Sequence, residues 1–412
     1  MPPLKIIIIG GGAAGMMAAI AAAYNGAAPV ILEKNPRIGK KLLATGAGRC
    51  NLTNTQIKPT NYHGRNPQFA AGALGRFDPQ KTLDFFEYLG ITPKVEDGGK
   101  VFPYSEQAAS VLDVLRYELD QNGVLLTCGV EAKEVLKDKA GMKVLLSDGS
   151  VLSADRVILA TGGKAAPQFG SDGSGYEIAK KAGHNLIDPI PALVPLKLKA
   201  DFLKQIKGVK FNGNAAIVTG DNHTLAEAGG EILFTEYGAS GPPILSLSRV
   251  AGERLQNNLE VYLKLTLVDH LPVGELREYL GARMGTRPDK PLNFSLVGFI
   301  NKRLAPVLLR EAGINDLNKA AGRITNLELT NLANILADWR FLITGATSWP
   351  NAQTTAGGVD VSEVDGNTLE SKIVPGLFFA GEILDIDGDC GGYNLQWAWS
   401  SGYTAGLAAG KR

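Results

Sequence analysis

Residues 5–9 form an apolar run, Lys5-Ile6-Ile7-Ile8-Ile9, that reads as a buried parallel strand. Residues 13–24 continue as a helix of small residues, and 29–32 (Pro-Val-Ile-Leu) as a second strand. Apolar positions at helical spacing predict helices over 79–89 and 106–121. Short strands are predicted at 124–127, 130–136, 142–146 and 151–153, with a Ser147-Asp148-Gly149-Ser150 turn, as a β-meander inserted between sheet strands. Another buried strand spans 156–160, ends at Thr161-Gly162-Gly163, and is followed by a helix over 174–182. From residue 196 to 270 the pattern alternates as strands do (196–198, 215–218, 231–234, 259–267), suggesting an antiparallel barrel or sandwich. Residues 273–340 are patterned as helix, with Leu276, Tyr279 and Leu280, then Leu332, Ile335, Leu336 and Trp339. A last strand stops at Gly381-Glu382, and a glycine turn at 387–393 leads into a final helix over 394–409. The expected organisation is an α/β domain (1–195 and 346–412) interrupted by a barrel-like segment (196–272) and a helical one (273–345).

The turn after the first strand gives this pattern its chemistry. Gly10, Gly12 and Gly15 have the spacing Gly-x-Gly-x-x-Gly, between a strand and the helix that opens Ala13-Ala14. Gly10 permits the turn, Gly12 lets backbone N–H groups approach a pyrophosphate, and Gly15 lets helix and strand pack closely. The helix N-terminus adds partial positive charge. Glu33 ends the second strand about twenty positions on, where a carboxylate accepts ribose hydroxyls. Together these features point to a dinucleotide site; an ordinary βαβ unit with a Gly-rich turn is the plain alternative. A loop directly after this strand, 40–54, is too rich in Gly, Thr and Asn to be read as a helix. It is expected to lie against the ligand through Lys41, Thr45, Gly46, Gly48, Arg49, Cys50 and Asn51, or to be a surface loop with side-chain-stabilised turns.

Composition narrows the classes. The 412 residues carry 42 Lys+Arg against 41 Asp+Glu, so no basic field offers itself to a nucleic-acid backbone. The three cysteines form no C-x-x-C pair, which argues against a dithiol centre or zinc knuckle and suits a reducing cytoplasm. No signal peptide is read before the first strand, and the most apolar helix is too short to span a bilayer. The expectation is a cytoplasmic protein without membrane, metal or nucleic-acid partners. The four histidines fall outside every motif and have no metal-ligand spacing.

The N-terminal fingerprint resembles that of FAD-binding proteins of the glutathione-reductase superfamily. Three longer strings, GKKLLATGAGRCNLTN (39–54), ILFTEYGASGP (232–242) and VPGLFFAGEILDIDGDCGGYNLQWAWSSG (374–402), resemble the BaiN-like family, which includes aminoacetone-oxidase-like proteins. The likeness runs from end to end. It implies a Rossmann-like FAD domain with an inserted β-barrel and a helical subdomain. One departure is Thr235-Glu236, where such proteins often carry Thr-His, so no histidine role transfers there.

For an FAD site, Lys34, Val130, Ala160, Thr161, Gly162, Gly381, Glu382 and Asp387 join the candidates, with Val130 resembling the position whose backbone meets adenine. The turn Gly392-Tyr393-Asn394-Leu395 can present N–H groups and a helix dipole to the flavin edge that becomes anionic on reduction. Cys50 is more often a small buried hydrophobe than a redox centre, and Arg49 and Lys41 are phosphate partners or merely solvated. The FAD is expected to be non-covalent. No second nucleotide fold is present, so NAD(P)H is at most a transient electron donor. The resemblance implies an FAD-dependent oxidoreductase of a small organic substrate, reducing an activated C=C bond by hydride transfer. An oxygen-dependent amino-ketone oxidase is the alternative, and a flavin-binding sensor or assembly protein the alternative of another class. No catalytic residue and no oligomeric state is assigned.

Overall fold

The computed structural model describes residues 2–139 and 141–412. It divides into two compact units, 1–191 with 352–412, and 192–351. None of the described helices is long and apolar enough to cross a membrane.

The first unit is built on a five-stranded parallel sheet. Strand β1 (Lys5–Ile9) sits at its centre, with β2 (Ala28–Glu33) and then Leu125–Cys128 on one side, and Arg156–Leu159 followed by Leu377–Phe379 on the other. Strand order therefore reverses at β1, and ligands of such sheets bind where the order reverses, beyond the carboxyl ends of the strands. The isoleucines of β1 are buried on both faces, as a central parallel strand requires. Leu125–Cys128 is an exposed edge strand of this sheet rather than part of the meander. The meander itself comprises Ala132–Asp138, Gly141–Leu146 and Val151–Ala154.

Helix α1 (Ala13–Tyr24) packs along the closing helix Tyr393–Gly410 with almost no side chain between them. A Cβ on Gly402 would lie 2.4 Å from the Ala14 carbonyl oxygen, one on Gly406 2.1 Å from that of Ala18, and one on Gly410 3.2 Å from that of Ala22. The pairs advance together along both chains, so the two helices run parallel. Ala14 is the second residue of α1 but Gly402 the tenth of its partner. The closing helix thus begins about eight residues, roughly 12 Å, beyond the start of α1. Both N-termini point the same way.

The second unit contains a closed antiparallel barrel in the order Leu196–Leu198, Gly238–Ser240, Thr224–Phe234, Lys210–Val218, Tyr262–Thr266 and Trp339–Ala346. Closure leaves the sheet without an unpaired edge. Phe234, Trp339 and Phe341 cluster in its core. Two expectations change here. Residues Pro242–Gln256, read as part of a strand region, form a helix. Trp339 continues the helical spacing of Leu332, Ile335 and Leu336, yet the helix ends at Ala337 and Trp339 opens the sixth barrel strand.

Candidate active site

A cleft lies at the carboxyl ends of β1 and β2 and of Arg156–Leu159, walled by the N-termini of α1 and the closing helix. Every residue that lines it belongs to the first unit. Gly10 forms its floor. It has φ +109°, and a Cβ there would lie 2.5 Å from the Ala160 carbonyl oxygen, so both conformation and space demand glycine. A Cβ on Gly15 would lie 1.9 Å from the Gly10 carbonyl, which seats α1 on the strand end. Gly12 differs: a Cβ there would meet nothing within 4 Å, because it faces the cleft. No side chain caps α1 and no acid stands in its first turn. The first N–H groups of a helix lack intrahelical acceptors, so an uncapped positive end opens on empty space.

Glu33 is buried at the tip of β2. Its Oε2 accepts the Gly11 N–H at 2.8 Å, and its Oε1 accepts the Asn35 N–H at 2.8 Å and the Asn35 side-chain amide at 2.7 Å. Two carboxylate oxygens offer about four acceptor sites, so capacity remains toward the cleft. Beside it Val130 donates its N–H to the Glu33 carbonyl at 3.1 Å and lines the same end. Lys34 also lines the cleft, its Nζ 2.6 Å from Asp172 and 3.1 Å from Ser174 Oγ. On the opposite wall Lys41 Nζ reaches Glu382 Oε2 at 2.9 Å, and Glu382 Oε1 accepts from Thr355 Oγ1 at 2.8 Å. Ala13, Ala14, Thr45, Ala160, Thr161, Gly162, Gly381, Asn394 and Leu395 complete the expected lining.

Other candidates do not line it. Cys50 is fully buried, and burial pushes its thiol up to about 12, so it behaves as a small hydrophobe. Arg49 lays its guanidinium 3.9 Å from the centre of the Phe102 ring and pairs with Glu96 at 3.0 Å, which occupies the charge that a phosphate would need. Asn51 accepts the Val101 N–H at 3.2 Å and sits beneath Gly392, whose added Cβ would lie 2.9 Å from Asn51 Oδ1 and 2.3 Å from the Thr53 carbonyl. Gly46 and Gly48 carry the left-handed turn that joins these residues to a short helix, Lys40–Ala44. That helix replaces the expected loop, because Lys-Lys-Leu-Leu-Ala are good helix formers. Asp387 is buried in a two-residue strand, Asp387–Gly388, paired with Tyr62–His63, and Tyr393 turns its ring toward Tyr62. The signature string thus supports the end of the closing helix from below.

The sequence reading missed the segment that covers the cleft from the far side. Phe169, Gly170 and Ser171 line it. Gly170 has φ +104°, and a Cβ there would lie 2.2 Å from Asn35 Nδ2, which itself donates to the Phe169 carbonyl at 3.3 Å. The sequence signal for this segment is the glycine run Gly170, Gly173 and Gly175. Gln353, Trp397 and Ala398 are further lining residues outside the motifs.

Comparison with known proteins gives this geometry a family. A family model described as HI0933-like protein Rossmann domain matches residues 4–408. The chain belongs to the HI0933-like family. Among curated relatives, the 3-dehydro-bile acid delta(4,6)-reductase of Clostridium scindens is 42% identical over 392 residues, covering 95% of each chain. Ribosomal RNA dihydrouridine synthases of Escherichia coli and Haemophilus influenzae are 32% and 30% identical, covering 93% and 94% of this chain and 92% and 94% of their own. The BaiN-like resemblance and the Rossmann-like fold with an inserted barrel agree with this family. This HI0933-like protein is an FAD-binding oxidoreductase, and its cleft fits that cofactor: an uncapped helix N-terminus, a glycine floor and a buried acid stand at the spacing a dinucleotide needs. Two of the three relatives are named for an RNA substrate, the class that the balanced charge argued against.

Proposed function

We propose that this HI0933-like protein reduces a carbon–carbon double bond conjugated to a carbonyl in a small organic molecule. The supporting observation is a chemistry shared by relatives with different substrates. A delta(4,6)-reductase of a 3-dehydro bile acid acts, by its name, on double bonds conjugated to the 3-oxo group. Dihydrouridine is uridine with C5=C6 saturated, a bond conjugated to the C4 carbonyl. Each is a hydride addition at an electrophilic carbon of the conjugated system (β to the carbonyl, or δ for the outer bond of the dienone) and a protonation at the neighbouring carbon. The 42% relative favours the small-molecule arm over the RNA arm.

When bound, FAD supplies the hydride. The chain's own residues bind and orient it. The N–H rim at Gly12, Ala13 and Ala14 takes the pyrophosphate, Glu33 the adenosine ribose, and the Val130 backbone the adenine. Gly381 and the Lys41–Glu382 pair lie along the middle of the cleft, and Asn394 and Leu395 put the second helix end against the ring. The offset of roughly 12 Å between the two helix ends suits a ligand with its diphosphate at one and its ring at the other. NAD(P)H is the proposed transient electron source, and three unpaired cysteines suit a reducing cytoplasm.

Anaerobic stopped-flow mixing tests the reading. Bleaching of the flavin by NADH or NADPH, then return of colour on adding a steroidal 4,6-dien-3-one, supports it. Bleaching by aminoacetone with oxygen as acceptor supports an oxidase instead. The second reading, uridine in ribosomal RNA, rests on the two synthase relatives. Dihydrouridine appearing by mass spectrometry in a ribosomal RNA transcript, with no steroid turnover, selects it.

A further inference from the structure

Lys41 and Glu382 pair on the cleft wall, and the residue that aims them lies behind it. Thr355, in the strand Thr354–Val359, is buried and does not line the cleft. Its Oγ1 accepts the Lys164 N–H at 2.8 Å and the Ala165 N–H at 2.9 Å. A hydroxyl oxygen offers two acceptor sites and one hydrogen. Both sites are filled by these amides, so the hydrogen is committed to Glu382 Oε1, 2.8 Å away. The Thr355 N–H donates to the same oxygen at 3.1 Å. Glu382 is left to hold Lys41 Nζ with its other oxygen, Oε2, at 2.9 Å.

Gly163 makes room for this arrangement. A Cβ there would lie 2.3 Å from Thr355 Oγ1 and 2.7 Å from Glu382 Oε1. Lys41 carries its charge on a flexible four-carbon stem, and an ammonium has three hydrogens. One is taken by Glu382, which leaves two for a ligand in the cleft that Lys41 lines. The Lys41 and Glu382 side chains are 27% and 19% exposed, so solvent screens the pair only in part. In oxidised FAD the ring, the ribityl chain and the adenosine are uncharged, and the diphosphate carries the negative charge.

We infer that Thr355 is a positioning residue: through Glu382 it aims the Lys41 ammonium at the diphosphate of FAD, opposite the N–H rim of α1. The inference rests on the placement of the cofactor under Proposed function. Thr355 touches no part of the cofactor. Its hydroxyl orders the carboxylate and the carboxylate orders the ammonium. The ion pair then meets the cofactor with its geometry already fixed, which lowers the entropy lost on binding. The same hydroxyl ties down Lys164 and Ala165, where the chain leaves the Gly162 turn for the segment that covers the cleft.

The test titrates the flavin-free full chain with oxidised FAD at about 50 and about 500 mM NaCl. Wild type is compared with Lys41→Met, Thr355→Val and Thr355→Ser. Wild-type affinity should fall about fivefold at the higher salt, and that of Lys41→Met by less than about twofold, because the charge that salt screens is gone. Thr355→Val keeps the shape and removes the hydroxyl. It should bind about tenfold more weakly at low salt, with the small salt response of Lys41→Met. Thr355→Ser restores the hydroxyl and should stay within about threefold of wild type at both salts. Added to Lys41→Met, Thr355→Val should cost no more than about threefold further. A Thr355→Val protein that keeps wild-type affinity, or loses affinity while keeping the full salt response, overturns the inference. So does a wild type whose binding is indifferent to salt and to Lys41→Met. If Thr355→Val does not fold, Gly163→Ala, whose methyl presses on the same hydroxyl, takes its place with the same expected and contrary results. No turnover enters the measurement, so failure to reduce a conjugated ketone would end the proposed reaction and leave this inference standing.

Discussion

At residue scale Glu33 has a role that the spacing of the fingerprint does not show. Its carboxylate holds Gly11 and Asn35 in place, so it shapes the turn as well as lining the cleft. Glu33→Ala leaves those buried N–H groups without acceptors at about 1–3 kcal/mol each. FAD should bind roughly tenfold more weakly or worse, read by flavin fluorescence titration. Glu33→Gln keeps one acceptor oxygen and should lose less; equal affinity in all three proteins contradicts the placement. His184 yields a prediction in pH. Its Nδ1 lies 3.1 Å from Glu363 and its Nε2 2.8 Å from Ser371 Oγ, which also accepts the Ile373 and Val374 N–H groups. The serine proton therefore goes to Nε2, and the neutral ring carries its hydrogen on Nδ1. The arrangement looks like a hydrolytic triad, but the His184 side chain is 0% exposed, so it is a structural pin. Burial lowers the proton affinity of His184 below its ordinary value. The stability this contributes is full above the unfolded-state value of about 6.5 and is lost as pH falls below it. Urea midpoints should fall between pH 7.5 and 5.5, by less in His184→Gln; an equal fall in both contradicts the assignment. At this scale the sequence revealed residues whose backbone chemistry is fixed by spacing (Gly10, Gly12, Gly15, Glu33, Val130). It did not show that Arg49, Cys50 and Asn51 pack against their neighbours outside the cleft lining.

At the scale of elements, two parallel helices carry the geometry of the site. Their approach depends on Gly402, Gly406 and Gly410 meeting Ala14, Ala18 and Ala22. Gly406→Ala places a methyl 2.1 Å from the Ala18 carbonyl oxygen. It should cost about 1–3 kcal/mol by overpacking, read as a lower denaturant midpoint, and should weaken FAD retention by shifting one helix end against the other. Unchanged stability would mean that the helices do not touch there. The β1–α1–β2 unit and the closing helix were legible because period and punctuation agreed. The Lys40–Ala44 and Pro242–Gln256 helices were not, the first masked by the glycines after it and the second lying within an otherwise strand-like region. Trp339 was misplaced because its spacing from Leu332, Ile335 and Leu336 is helical by coincidence across a helix end.

For the whole molecule, all lining of the cofactor cleft comes from one unit, while the other closes its own barrel around its own core. A chain in which a flexible linker replaces 192–351 should therefore keep its FAD, seen as the yellow flavin spectrum after gel filtration. A colourless product would place part of the cofactor's support in the removed unit. The central claim is that bound flavin delivers hydride to a double bond conjugated to a carbonyl. Its most direct test is a single anaerobic turnover: enzyme reduced with NADH or NADPH is mixed with a steroidal 4,6-dien-3-one in ordinary water, and product and flavin are followed together. The account predicts reoxidation of the flavin at the rate of product formation, and a product heavier than the substrate by two hydrogens. Flavin that stays reduced while the dienone remains intact, across a panel of conjugated ketones and uridine-containing RNA, would contradict it.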